Sequence, residues 1–280
     1  MPATMHRKGD ATEGSAMRIR TPVLTGLLCL AALGSPGAQE IDVDLELVLA
    51  VDVSRSMDAT EQKLQKDGYI AALQHPEVVA AIRSGFLGRI AVTYVEWAGP
   101  SSHAIIAPWA MIDGPESAAA FAGAIREMPV SFLRGTSISG ALTYAAGLFD
   151  ENRFRSARQV IDVSGDGPNN VGFPVLQARA AVLERGITIN GLPIMIHADY
   201  FGGYSIRELD IYYEDCVIGG PGAFLVTVEN IDRIAEAIRR KLVLEIAGPE
   251  PRILPAAFHE PAPRIDCLIG EKLRRRWMDP

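Results

Sequence analysis

Five residues stand out by chemical type and spacing. Asp52, Ser54 and Ser56 alternate in one short segment, Thr136 stands at the entrance of a helical pattern, and Asp166 lies between two glycines after an apolar run. Their donors are all hard oxygens, from two carboxylates and three hydroxyls. Mg²⁺ suits such a set, because it takes an octahedron of oxygens and keeps some of its waters, and Mn²⁺ accepts the same donors. Along an extended stretch, side chains two apart face the same way, so Asp52, Ser54 and Ser56 can address one point together. Taken singly, the two serines also fit helix caps and Asp166 fits a turn.

These five need a scaffold that gathers distant loops. Residues 42–53 contain Leu45-Glu46-Leu47-Val48-Leu49-Ala50-Val51, the nearly unbroken apolar run of a strand covered on both faces. Helical patterns follow at 60–73 and 77–83. Residues 89–97 read as a second strand and 104–112 as a third, where Pro108 favours an edge. A helix begins at Asp113-Gly114-Pro115 and reaches 128, and another opens at Gly135-Thr136-Ser137 and runs to about 149. A fourth strand at 159–164 ends in Gly165-Asp166-Gly167. A helix at 174–185, closed by Gly186, leads to a fifth strand at 187–196 and a shorter sixth at 223–228. The helix at 231–246 carries Ile231, Ile234, Ala235 and Ile238 on one face. Strands alternating with helices predict a doubly wound α/β sheet, whose loops beyond the carboxyl ends of the strands meet at one crevice. From Gly248 the sequence turns Pro-rich, and an irregular tail is expected over 248–280.

With the motif and its setting together, the chain resembles a von Willebrand factor A domain over residues 42–247. The five residues resemble that family's metal-ion-dependent adhesion site: Asp52, Ser54 and Ser56 match its Asp-x-Ser-x-Ser segment, Thr136 its distant threonine, and Asp166 its strand-end aspartate. The family usually has Thr-Asp-Gly at the last position, where this chain has Gly165-Asp166-Gly167, so one hydroxyl near the metal is missing. The segments 164–170 and 186–193 further resemble a bacterial subfamily of exported A-domain proteins without assigned function. The resemblance implies a Rossmann-like α/β fold: a mostly parallel central sheet, helices on both faces, and one antiparallel edge strand. It also implies that Ser54, Ser56 and Thr136 bind the metal through hydroxyls, and that Asp52 and Asp166 bind it directly or through water. One position would stay open for an acidic group from a partner.

The rest of the chain bounds the function. Of 280 residues, 48% are hydrophobic and the formal charge is -7, which argues against a sequence-independent grip on nucleic acid. Residues 17–40 read as a signal peptide, with Arg18 and Arg20, an apolar stretch at 23–33, and small residues up to Ala38. A membrane anchor is the alternative, though the run is too short and broken to span stably. The domains expected are therefore a signal peptide at 1–38, the A-like domain at 39–247 and the tail, in a periplasmic or secreted protein. Cys29 would leave with the signal. The remaining pair, Cys216 and Cys267, suggests a disulfide in an exported chain, against two unpaired thiols.

The function expected is a non-enzymatic, divalent-metal-dependent binding module, whose partner is a protein or envelope ligand presenting a carboxylate. A metal-assisted phosphoesterase and a purely structural metal site are the alternatives. Asp58 reads as a helix cap, and Asp162 sits inside a strand. His197 and Glu96 are weak as general bases, and Trp97 reads as core. Tyr212, Tyr213 and Glu214 suit either a partner surface or packing against the tail. Lys272, Arg274, Arg275 and Arg276 read as a solvated basic end.

Overall fold

The structure is a computed structural model that describes residues 40–129, 131, 133–196, 205–248 and 262–278. The expectations placed on residues 1–38, on His197 and on the prolines from 249 to 261 lie outside the described residues. In chain order the elements begin with β1 (Ile41–Asp42), β2 (Glu46–Asp52), α1 (Ala59–Leu73), α2 (Pro76–Arg83), β3 (Ile90–Trp97) and β4 (His103–Ile112). Then come α3 (Pro115–Glu127), α4 (Ile138–Leu148), β5 (Phe154–Arg155), β6 (Gln159–Gly165), α5 (Val175–Glu184) and β7 (Thr188–Pro193). The last are α6 (Leu209–Tyr212), which runs into a π-turn at Tyr213–Val217, then α7 (Ile234–Ala247) and α8 (Ile269–Met278).

The main sheet has the order β4-β3-β2-β6-β7. Its neighbours are parallel except β4, which runs antiparallel to β3 at the edge. Every residue of β2 is buried. Leu47, Leu49 and Val51 point into a core shared with α1, α2, α3 and α7, while Val48 and Ala50 point into one shared with α4, α5 and α6. The unbroken apolar run exists because both faces of the strand are covered. At the edge, Ala107 pairs with Tyr94 and Ala110 with Val92, so Pro108, which has no N–H to offer, falls within a bulge.

Three sequence expectations change. Residues 223–228 do not form a sixth ladder but make isolated bridges, Leu225 with Gly191 of β7 and Val228 with Ile194 just beyond it. The side chain of Asn190 takes the N–H of Phe224 at 3.0 Å, where a ladder would use a backbone carbonyl. The tail is not irregular throughout, since α8 forms in it and sets Ile269 and Leu273 against the second core. On α7, Ile234 and Ile238 are buried but Ala235 is exposed. A 3₁₀ turn at Ile231–Arg233 winds more tightly than an α-helix and shifts the face counted from Ile231.

That shifted face buries Lys241 and Glu245 together. The Lys241 ammonium lies 2.6 Å from Asp162 Oδ1 on β6 and also contacts Glu245. Asn190 donates to Glu245 at 3.3 Å. Burial alone would strip the Lys241 proton, but the two carboxylates outweigh it and hold the ammonium above its ordinary range. Burial, then repulsion from Asp162, pushes Glu245 up to about 7 against the pull of Lys241. A carboxyl with a raised folded pKa stabilises fully below its unfolded value near 4.5, and that contribution is lost as pH rises through about 7. Chemical denaturation should therefore give lower stability at about pH 8 than at about pH 5, and Glu245→Gln should shrink that difference.

Cys216 on the π-turn and Cys267 just before α8 form a disulfide with a Cα–Cα distance of 5.6 Å across a sequence separation of 51. On the chain-entropy view, closing a loop of that length stabilises by about 4 kcal/mol, with measured values often lower. Replacing both cysteines by serine should lower the unfolding free energy by about 2–4 kcal/mol. It should also open residues 262–278 to limited proteolysis, read by mass spectrometry.

Candidate metal centre

β2 and β6 lie side by side and end at the same edge of the sheet. The helix that follows β2 packs on one face and the helix that follows β6 on the other, so the chain parts between the two strand ends. That is the topological switch point where open α/β sheets form their crevice. Asp52 is the last residue of β2, and Asp166 follows the last residue of β6.

The loop after β2 is fastened from two sides. Ser54 bridges to Leu133, with the Arg55 N–H donating to the Leu133 carbonyl at 2.9 Å. Gln62 on α1 donates to the Ser54 carbonyl at 2.9 Å. The bridge to Leu133 also carries Thr136 toward the loop. From the other side, the Thr136 N–H donates to Asn170 Oδ1 at 3.0 Å, and the Asn170 N–H donates to the Thr136 carbonyl at 2.8 Å. Thr136 is thus held by its backbone between the two strand-end loops, and Ser137 caps α4 behind it.

Four of the five residues read from the sequence form one hydrogen-bonded chain. The Ser54 N–H donates to Asp52 Oδ1 at 2.7 Å, the hydroxyls of Ser54 and Ser56 are 2.8 Å apart, and the Ser56 hydroxyl donates to Asp166 Oδ1 at 2.6 Å. The fifth, Thr136, is buried and bonded by its backbone to Asn170, four residues after Asp166. Depth is graded: Asp52 is 1% exposed, Asp166 half-buried and Ser56 exposed. Burial, reinforced by the charge of Asp166, holds the Asp52 carboxyl well above its ordinary range, although the Ser54 amide and hydroxyl pull it down. Oδ2 of Asp52 is buried with no hydrogen-bond partner among the described residues. A buried carboxylate with an open oxygen, beside a second carboxylate and a hydroxyl at the surface, fits a hard divalent cation. Among the described residues no three His, Cys, Asp or Glu side chains cluster at metal distance, so the fit rests on hydroxyls as much as on acids.

Other residues singled out in the sequence fall elsewhere. Asp58 caps α1, paired reciprocally with Glu61. Asp162 belongs to the Lys241 pair. Trp97 is core, and Glu96 is buried and raised by desolvation, with Ser131 and Lys66 opposing. The Tyr212 hydroxyl accepts from the Asn169 N–H at 3.2 Å, and Glu214 pairs with Arg264. The basic end is helical rather than a loose tail: Lys272 pairs with Asp266, and Arg274 reaches to 3.5 Å from Asn170 Oδ1. Asn169, Asn170 and Gln62 hold the site together but carry no spacing signal that marks them. Tyr213, on the π-turn, is fully buried.

A profile of the family described as a protein of unknown function (DUF1194) matches residues 42–250. The chain belongs to that family. No curated protein sequence matches this DUF1194 chain. Among solved structures, the pilus adhesin SpaC from Lactobacillus rhamnosus GG aligns at 13% identity and TM-score 0.55, over 74% of this chain and 31% of the adhesin. Proximal thread matrix protein 1 from the mussel byssus, with a zinc-occupied MIDAS motif, aligns at 14% identity and TM-score 0.53, over 75% and 49%. A von Willebrand factor type A structure from Catenulispora acidiphila aligns at 15% identity and TM-score 0.50, over 73% and 43%. The DUF1194 chain therefore has the von Willebrand factor A fold and spans between about a third and half of these proteins. α8 lies outside the residues that the family profile matches.

Asn170 yields a direct test of how the loops are joined. Asn170→Ala would leave the buried Thr136 N–H without its acceptor, which should cost about 1–3 kcal/mol of stability in urea denaturation.

Proposed function

We propose that this chain is an exported binding module that recognises a partner through a divalent cation, Mg²⁺ or Mn²⁺. Asp52, Ser54, Ser56, Thr136 and Asp166 would hold the ion. One observation carries the reading: the buried, open Oδ2 of Asp52 belongs to a hydrogen-bonded cluster that reaches the surface at Ser56. A cation there would supply positive charge for an acidic group arriving from outside. Neutral hydroxyls in place of further acids leave more of that charge uncompensated, which favours an external carboxylate.

The fold shared with a pilus adhesin and with a byssus protein whose MIDAS motif holds zinc supports a binding role. Export is supported by the Cys216–Cys267 disulfide. Among the described residues, no helix is long and apolar enough to cross a membrane. The acidic balance of the chain favours a protein or envelope ligand over nucleic acid. On this reading residues 1–38 are removed and residues 39–247 form the binding domain.

Mg²⁺ or Mn²⁺ at millimolar concentration should raise the melting temperature, since an ion at a hundred times its Kd adds about 2.7 kcal/mol to the folded state. Asp52→Ala and Asp166→Ala should remove that increment and leave a folded protein. A pull-down from the native envelope fraction should retain a partner with metal and lose it with chelator. A partner kept equally in chelator, or phosphoester turnover abolished by Asp52→Ala, would overturn the reading.

A further inference from the structure

The fully buried Tyr213 ring reaches the strand ends only because two residues have no side chain. A Cβ on Gly191 of β7 would stand 2.7 Å from Cδ1 of the ring. One on Gly165, the last residue of β6, would stand 2.9 Å from the Tyr213 hydroxyl and 3.0 Å from Asp52 Oδ2. Any larger residue at either position would have to displace the tyrosine. The hydroxyl and Asp52 Oδ2 are both buried, both without a hydrogen-bond partner among the described residues, and both converge on position 165.

Phenylalanine would fill the same space without burying a hydroxyl, and an unmet buried donor weakens a fold. Packing therefore accounts for the ring but not for its oxygen. Across position 165 from that oxygen stands Asp52 Oδ2, equally without a partner among the described residues. The missing threonine hydroxyl at position 165 is matched by a hydroxyl that enters the same place from a different element. That element is the π-turn, a rare conformation often found at functional sites.

We propose that Tyr213 is a positioning residue of the metal centre: with an ion bound, its hydroxyl, unpartnered here, donates to Oδ2 of Asp52 in place of a hydroxyl from position 165. The proposal rests on the metal-binding reading above and adds a residue to it. Tyr213 acts through Asp52: it orients the carboxylate and shares its charge. Outer hydrogen bonds of this kind fix the ligand that the ion meets, and their loss typically weakens metal affinity 10–100-fold.

The test is calorimetric titration of Mn²⁺ into the full chain with its disulfide intact. Tyr213→Phe should bind Mn²⁺ about 10–100-fold more weakly, while its metal-free melting temperature stays the same or rises. A purely structural tyrosine would leave the Mn²⁺ affinity unchanged. Gly165→Ala should also weaken Mn²⁺, by placing a methyl group against both oxygens. Combined with Tyr213→Phe it should cost less than the two separate losses together, because both changes act on the same oxygen of Asp52. Wild-type binding with an equally tight Tyr213→Phe would overturn this proposal and leave the binding reading standing. If the wild-type chain binds no Mn²⁺, both fall.

Discussion

Asp52 is a carboxylate taken almost wholly out of water at the point where two parallel strands part. Desolvation disfavours its charge, and the neighbouring Asp166 disfavours it further. The surroundings answer only in part: the amides of Ser54 and Asp166 and the Ser54 hydroxyl favour its charge, and Oδ2 has no hydrogen-bond partner among the described residues. Much of the nearby structure is arranged around this group. α1 turns polar side chains inward over its first half, so that Gln62 ties down the Ser54 carbonyl and Gln65 reaches Ser164 at 3.1 Å. The loop after β2 and the end of β6 are thereby both tied to α1.

A second buried charge system lies on the same strand, away from the crevice. Asp162 of β6 meets Lys241 and Glu245 of α7, with Asn190 of β7 joining in. Here the protein supplies its own cation. Removing one member would leave a buried charge uncompensated, which is far costlier than replacing the whole set with apolar residues. The contrast with Asp52 is instructive. Each site sets two carboxylates close together, but the lysine stands only at the inner one.

The C-terminal segment is built onto the loops that frame the crevice. Asn169 is the hub: it accepts from the Ser139 N–H, donates to Glu271 of α8 at 2.7 Å, and meets the Tyr212 hydroxyl through its own N–H. Asn170 holds Thr136 and is approached by Arg274. The disulfide fixes this helix to the π-turn that carries Tyr213. A short helix with two partly buried apolar side chains has little hold of its own, so the covalent tether does what a larger apolar face would otherwise do.

The sequence by itself determined the doubly wound class of the sheet, the five strands of the main sheet and most helices in chain order, and four residues that meet at one point. Continuous apolar runs such as Leu45–Val51 and breaks at Asp52 and Gly165 are local signals, and in a doubly wound sheet the place where strand-end loops converge follows from topology alone. Asp58 as a cap and Pro108 at an edge were legible for the same reason, since each depends on neighbours close along the chain. Tertiary structure alone decided the rest. That Gly165 makes room for Tyr213 depends on a π-turn 48 residues away folding back over β7. That Lys241 is buried depends on the phase of α7 after a 3₁₀ turn and on two carboxylates waiting beneath it. That 269–278 is helical depends on a surface for it to pack on, because so short a stretch has too little cooperativity to hold its shape in water.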